Sequence, residues 1–371
     1  MKLSHALTLL GAGAGALGIG LATQGCSSSS STSTGPSTST GTVPPPAPTG
    51  PTTSVSATHA YAIHTLYLGD QSTSGVSSAT AWEGFGYNLD GLETTASDTN
   101  VCTLYAGAAK ATQQDGPGGV DNSFGENIVP ILITVAGANA AQTINTSIDG
   151  GSFTVIFAVT GWDDSNASQT ATGLSGVLLA GTKFSGTPTF TTADHWPIDD
   201  SLVTPSAPGT DPIKNANIKF NSAYVVNGEF VNGSPSTVTI SLSIGGQTLG
   251  LNVNEASITW KNNGVGSING GQIAGVLSTA DLVSSLMSIA GHISTSLCSG
   301  SAFQSIATQL DQASDILSDG TNVAGKACDG ISIGLGFEAK EIAYPVAADV
   351  VNPPMGSANP CDTDGGTADG G

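Results

Sequence analysis

Residues 115–127, DGPGGVDNSFGEN, place three carboxylates and four glycines within thirteen positions. That is the composition of a loop able to wrap a hard cation. Glycine lets backbone carbonyls turn toward a centre, while Asp115, Asp121, Asn122 and Glu126 supply side-chain oxygens. The nearby segment NLDG adds Asn88 and Asp90, enough oxygens together for the roughly 6–8 that calcium takes. Asp115 and Glu126 stand at the first and last positions of an EF-hand window. Pro117 and Gly119 occupy positions that need side-chain oxygens, and Val120 replaces the glycine of the sharp turn. Gly116, Gly119 and Asp121 match part of a calcium-binding nonapeptide, but that motif works by stacking copies and only one is present. The competing reading is a well-made turn, with Asp121 capping a helix that starts at Ser123.

Two further acidic clusters follow strand-like runs: GWDDSN at 161–166 and ADHWPIDD at 193–200. A hydrolase acting on polysaccharide would draw its acid and base from Asp163, Asp164 and Asp194, and its sugar platforms from Trp162 and Trp196. Sequence spacing does not fix a carboxylate separation, and aspartates after strands are ordinary surface residues. Five histidines, with His5 near the N-terminus, leave little for histidine-based metal chemistry. Neither an H-E-x-x-H motif nor a Walker loop is present.

Composition narrows the partners. Only 10% of residues are charged, and 28 acids face 8 bases, for a net charge of −20. That balance disfavours nucleic acid and anionic lipid surfaces. It also raises the expectation of calcium as cofactor. Beyond Cys26, four cysteines remain, an even number that suggests two disulfides in an exported chain. Of three possible connectivities, we expect Cys298 with Cys328, bracketing a helical segment, and Cys102 with Cys361, tying the ends of the domain.

The elements that must position these groups are mostly strands. Residues 59–70, 151–162, 176–182, 215–231, 236–263 and 266–278 are short runs rich in Val, Ile, Thr and Phe, bounded by Gly, Asn, Asp or Pro. Residues 127–137 form an apolar run, helical at first, with Pro130 near its start. SLSIGGQTLGLNV reads as a hairpin around Gly245 and Gly246. Residues 278–294 carry Leu282, Leu286 and Ile289 at helical spacing. Residues 301–319 carry Phe303, Ile306, Leu310, Ala313 and Ile316 on one face. Residues 330–344 return to period two. The expected fold is mainly β: a β-sandwich or jelly-roll-like body at 57–350, with a helical hairpin at 278–319 before the last strand and a turn-rich subregion at 82–127.

The chain begins with Lys2 and His5, an apolar Gly/Ala-rich run to Ala22, and small residues leading to Cys26 and Ser27. Residues 1–25 resemble a bacterial lipoprotein signal, which implies lipidation of Cys26 and, from Ser27, sorting to an outer membrane. Thr23 departs from the usual leucine of that signal. Residues 26–56 are a Ser/Thr/Pro-rich tether with little apolar material to offset the entropy of ordering. A coil of that length averages about 30 Å end to end. Residues 351–371 form a Gly/Asp-rich tail. WEGFGYNLDG, a cysteine and DGPGGVDNSFG together resemble segments of secreted proteins and lipoproteins of myxobacterial type, a resemblance that implies export and no particular activity.

These readings lead to a membrane-anchored extracytoplasmic lipoprotein at the outer membrane or cell surface, without catalysis. It would serve as a calcium-stabilised module that binds a glycan or an envelope protein, or as a structural envelope component. The alternative is the secreted hydrolase, and secretion or a periplasmic location is the alternative to the anchor.

Overall fold

The computed structural model describes residues 37–38, 41–49, 56–136, 140–234, 236–244, 247–298, 300–353 and 360–362. The alternating apolar runs form nine strands among these residues: β1 (Thr58–Tyr67), β2 (Thr154–Thr160), β3 (Ala171–Gly181), β4 (Ile218–Val226), β5 (Glu229–Val231), β6 (Ser236–Ile244), β7 (Gln247–Asn262), β8 (Ser267–Ser278) and β9 (Gly330–Ile342). Eight of them form a closed antiparallel ring in the order β3-β2-β1-β9-β8-β7-β5-β4, with β4 returning to β3. The body is therefore a barrel. The expected sandwich or jelly-roll is corrected by the β3–β4 pairing, which joins Leu178 to Ile218 and Ala171 to Val225 and leaves neither strand as a free edge. Alternation along a strand is the same in both architectures. Only this long-range pairing separates them.

β6 continues the β5 edge of β7, and the expected hairpin holds, with Ile244 opposite Gln247. Between the two, Asn232 replaces ladder bonds. Its amide donates to the Ala256 carbonyl at 2.9 Å, and its carbonyl oxygen accepts from the Ile258 N–H at 3.1 Å.

The barrel interior is filled by aromatic and branched side chains. Phe230 stacks on Trp260 with centroids 3.7 Å apart, and Phe157, Phe337 and Trp162 pack around that pair. The opposite face of β1–β3 is also buried. Ala60, Ala62, Ile156, Ala158 and Leu179 meet an outer layer of Trp196, Ile198, Val203 and Val350. Double-sided burial explains why TVIFAVT reads as a continuous apolar run rather than an alternating one.

Four helices among the described residues lie outside the ring: α1 (Val129–Ala136), α2 (Ala140–Asp149), α3 (Thr279–Ile293) and α4 (Gly300–Gln312). Asn145 on α2 bonds both the N–H and the carbonyl of Leu66 at 2.8 and 2.9 Å, clamping the helix to β1. α3 begins where Ser278 accepts from the Asp281 N–H, and it buries Leu282, Leu286 and Ile289 as their spacing requires. α3 and α4 form the hairpin expected before the last long strand. α4 stops at Gln312 instead of running to 319, because Asp315 and Ile316 turn their N–H groups onto the Gly330 carbonyl and enter the sheet. Among the described residues, no helix is long and apolar enough to cross a membrane.

The outer face of β9 carries Ser332, Gly334 and Gly336. The turn-rich segment lies directly on it. A Cβ on Gly334 would fall 2.4 Å from the Phe85 carbonyl oxygen, and one on Gly336 2.2 Å from the Phe85 ring, so only glycine admits this approach. The disulfides are Cys102–Cys328 and Cys298–Cys361, with Cα atoms 5.2 and 4.9 Å apart. This corrects the expected Cys298–Cys328 and Cys102–Cys361 pairing. Cys102 ties the turn-rich segment to the approach to β9, and Cys298 ties the helical hairpin to residue 361. Part of the stretch read as tether lies on the body. The Thr42 N–H donates to the Gly118 carbonyl at 3.0 Å, and Tyr224 donates to the Pro45 carbonyl at 2.7 Å.

Candidate functional site

The 115–127 loop turns tightly on Gly118 and Gly119, both at positive φ, and closes through the Gly116 N–H on the Val120 carbonyl at 2.9 Å. Residues 87–94 line its flank. Thr94 and Asp115 exchange two bonds, and the Asp121 N–H donates to the Tyr87 carbonyl at 3.0 Å. This stitching brings Asp90, Asp115 and Asp121 together. A fourth acid, Asp315, joins them from the far end of the chain. The Asp121 carboxylate accepts from the Leu89 N–H at 2.7 Å, and Asp315 accepts from the Ser332 N–H at 2.9 Å and its hydroxyl at 2.5 Å. Asp121 and Asp315 are 4% and 7% exposed, and none of the four pairs with a basic side chain among the described residues. Burial raises every one of them, and the charges of neighbouring acids add to it at Asp115, Asp121 and Asp315. Asp115 is pushed up to about 8 and Asp315 to about 7, while Asp121 and Asp90 also rise. Asp90 Oδ2 and Thr94 Oγ1 are buried there without a hydrogen-bond partner.

The other expected ligands do other work. Asn122 accepts the N–H groups of Gly125 and Gly334 at 2.9 Å, and it donates to the carbonyls of Trp82, Phe85 and Gly334. It is a peg fastening the segment to β9. The helical turn starts at Ser123, as expected, and the side chain that accepts an N–H of its first turn, that of Gly125, is Asn122, not Asp121. Asn88 closes its own turn through the Gly91 N–H and the Leu92 carbonyl. Glu126 lies beside Asn127 and Glu83, apart from the acids. So Asn122, Asn88 and Glu126 are engaged elsewhere, and Asp315 joins Asp90, Asp115 and Asp121 in the acidic cluster. Nothing local marks Asp315 in the sequence, because only the β9 contact carries it there.

The hydrolase constellation does not assemble. Trp162 and Trp196 are 0% and 2% exposed, so neither offers a face to a sugar. Asp194 accepts from the N–H groups of Thr189 and Phe190 and from the Thr189 hydroxyl, holding its own loop. Asp163 accepts from Ser165 in a local turn. His195 is an exposed partner of Asp349 at 3.3 Å. Residues 330–334 spell G-x-S-x-G, the sequence of a nucleophile elbow. Ser332, however, sits inside β9 at 0% exposure, bonded to Asp315 and Ser123, with no histidine in the set.

Asp164 goes elsewhere, to one mouth of the barrel. His59 and Tyr61 alternate along β1, and Ala339 and Glu341 along β9. Tyr61 and Ala339 belong to the interior, so His59 and Glu341 project on that same side. His59 Nδ1 lies 2.6 Å from Glu341 Oε1 and 3.9 Å from Asp164 Oδ2, and one ligand atom from each of the three groups falls within 4.8 Å of the others. Asp164 is held by the Gly266 N–H at 2.7 Å and the Tyr61 hydroxyl at 3.2 Å, and Asn262 donates to its backbone carbonyl at 2.9 Å. His59 and Glu341 were missed in sequence because 282 positions separate them. The available signal was a polar residue on the inward face at the end of each strand. The α3–α4 groove, by contrast, is lined by Met287, Leu297, Phe303 and other uncharged residues and offers packing without acid–base chemistry. Compared with family models, curated proteins and solved structures, the chain shows no match.

Proposed function

We propose that this chain is a non-enzymatic extracytoplasmic module, held at an outer membrane or cell surface by a lipid on Cys26 and locked by calcium in its acidic knot. Its role is to bind a glycan or envelope protein, or to serve as part of the envelope itself. The observation that carries the calcium reading is the burial of Asp90, Asp115, Asp121 and Asp315 together, with Asp90 Oδ2 and Thr94 Oγ1 lacking partners. Asp121 and Asp315 are out of water and Asp90 and Asp115 partly so, and with no base beside them such carboxylates need protons or a cation. An all-oxygen donor set fits a hard cation such as calcium. Two disulfides favour an oxidising compartment. The anchor rests on the lipoprotein-like signal, and Cys26 lies outside the described residues. The hydrolase alternative is less favoured, because Trp162 and Trp196 are buried and offer no sugar platform.

Thermal unfolding of the full chain in EDTA and then in calcium tests the lock. Binding confined to the folded state adds RT ln(1 + [L]/Kd), about 2.7 kcal/mol at a hundredfold excess over Kd. A clear rise is expected. An unchanged transition at millimolar calcium would sink the calcium reading. Mass analysis of the mature N-terminus tests the anchor separately, since an unmodified or absent Cys26 overturns it. If both hold, glycan binding compared with and without calcium shows whether the lock serves recognition.

A further inference from the structure

We propose that His59, Asp164 and Glu341 form a binding site for a divalent transition metal in the barrel mouth, one nitrogen and two oxygen donors around a single ion. This site is independent of the acidic knot and of the calcium reading. Its three ligand atoms already lie within 4.8 Å of one another. Donors about 2.0–2.2 Å from one tetrahedral zinc-like ion stand about 3.3–3.6 Å apart, so the 2.6 Å His59–Glu341 contact opens and the 3.9 Å His59–Asp164 spacing closes to admit it. The ion takes the place of the hydrogen in the short His59–Glu341 contact. It meets both carboxylates that the imidazole now faces.

The donor chemistry sets the metal class. Imidazole suits zinc, iron, copper or nickel, whereas calcium prefers oxygen throughout. The two sites should therefore sort the two kinds of ion.

The surroundings are those of a supported ligand set rather than three surface groups meeting by chance. Asp164 is 5% exposed and oriented by Gly266, Asn262 and Tyr61, the kind of outer contacts that fix a metal-binding carboxylate. Trp162, fully buried, points its indole N–H toward the Tyr61 hydroxyl, which in turn holds Asp164, so the carboxylate is braced by a second layer of buried groups. His59 and Glu341 keep 18% and 19% of their side-chain surface accessible, so an ion has a path in. Three protein ligands leave a coordination position toward solvent for water or an anionic oxygen of a ligand, as open zinc sites do.

The test uses the full chain, stripped with EDTA and dialysed. Cobalt(II) reports its own coordination by visible absorption, and calorimetry with zinc gives stoichiometry. One equivalent is expected to bind, with a low-symmetry cobalt spectrum. His59→Gln and Glu341→Gln should each weaken affinity at least tenfold, while Asp115→Asn in the knot leaves it unchanged. Circular dichroism confirms that each variant is folded. Glu341 is part-exposed, so its variant keeps the test decisive should His59→Gln fail to fold. No saturable binding by the folded wild type, or equal affinity in Glu341→Gln, overturns the site. Loss of zinc binding in Asp115→Asn would overturn its independence from the knot.

Discussion

The acidic knot and the barrel mouth deal with the same problem in opposite ways. Both gather acids contributed by distant parts of a chain with 28 acids and 8 bases. The mouth sets a histidine between its two carboxylates and leaves the group part-exposed. The knot gathers four carboxylates, Asp121 and Asp315 buried and Asp90 and Asp115 partly so, with no basic partner among the described residues. Its acids rise under burial, and all but Asp90 also under one another's charge, with Asp115 at about 8 and Asp315 at about 7. A base-poor chain has few internal counter-charges to distribute. Where none reaches, the folded state must take up protons or a cation from solution. The difference predicts that the knot, which has no basic partner, is the more condition-dependent of the two regions.

The largest expected effect comes from the covalent clamp, which serves one region alone. The Cys102 N–H donates to Asn322 at 2.6 Å, next to Asp90, so the Cys102–Cys328 bridge holds the knot's rim. Its ring spans 226 residues. Replacing both cysteines with serine should cost about 2–5 kcal/mol. It should also blunt the calcium response in thermal unfolding while sparing zinc binding at the mouth. Equal loss of both responses would erase the division between the regions.

The next effect is pH dependence. A carboxyl whose folded pKa lies above its unfolded value, about 3.9, keeps its proton longer in the native state. Between those two values the native state binds more protons than the unfolded one, so stability falls as pH rises. A tenfold difference in proton affinity between the two states is worth about 1.4 kcal/mol. His64 has the opposite sign, because burial lowers its pKa below 6.5 and its effect is complete above that pH. From pH 6.5 to 8.5 in EDTA, the knot should therefore dominate and the midpoint should fall. Calcium should flatten the curve. Asp115→Asn removes one of the charges that repel. It should raise the midpoint at pH 8.5 in EDTA and lower it relative to wild type in calcium. A flat profile in EDTA would contradict the assignment of protons to the knot.

How much of this was legible depends on how far the partners stand apart in the chain. The loop at 115–127 announced Asp115 and Asp121, and NLDG announced Asp90, because glycine and aspartate at short range carry their own turn chemistry. Asn122 looked like a ligand for the same reason. Its amide is instead a buried peg, a role fixed by Gly334 more than two hundred residues away. Strand runs, the Ile244–Gln247 hairpin and the α3–α4 hairpin were visible because periodicity is local. Barrel closure, the disulfide pairing, Asp315, and the meeting of His59 with Glu341 all depend on pairings that no local pattern encodes. The acids after strands misled most. Asp163, Asp164 and Asp194 look alike in sequence, yet one closes a turn, one enters the barrel mouth and one holds a loop.

The smallest expected effect is at the mouth without metal, and it sharpens the comparison from the other side. Glu341→Gln replaces one carboxylate beside His59 with a neutral amide that can still accept a hydrogen bond. The pair is about one-fifth exposed, so water screens part of the attraction, and Asp164 remains as a second acid. The loss should be about 1 kcal/mol, toward the top of the range for accessible ion pairs. It should shrink in high salt and be present equally with or without calcium. A loss of several kcal/mol that calcium relieves would mean that the mouth and the knot share one charge balance. The mouth would then owe its stability to the knot.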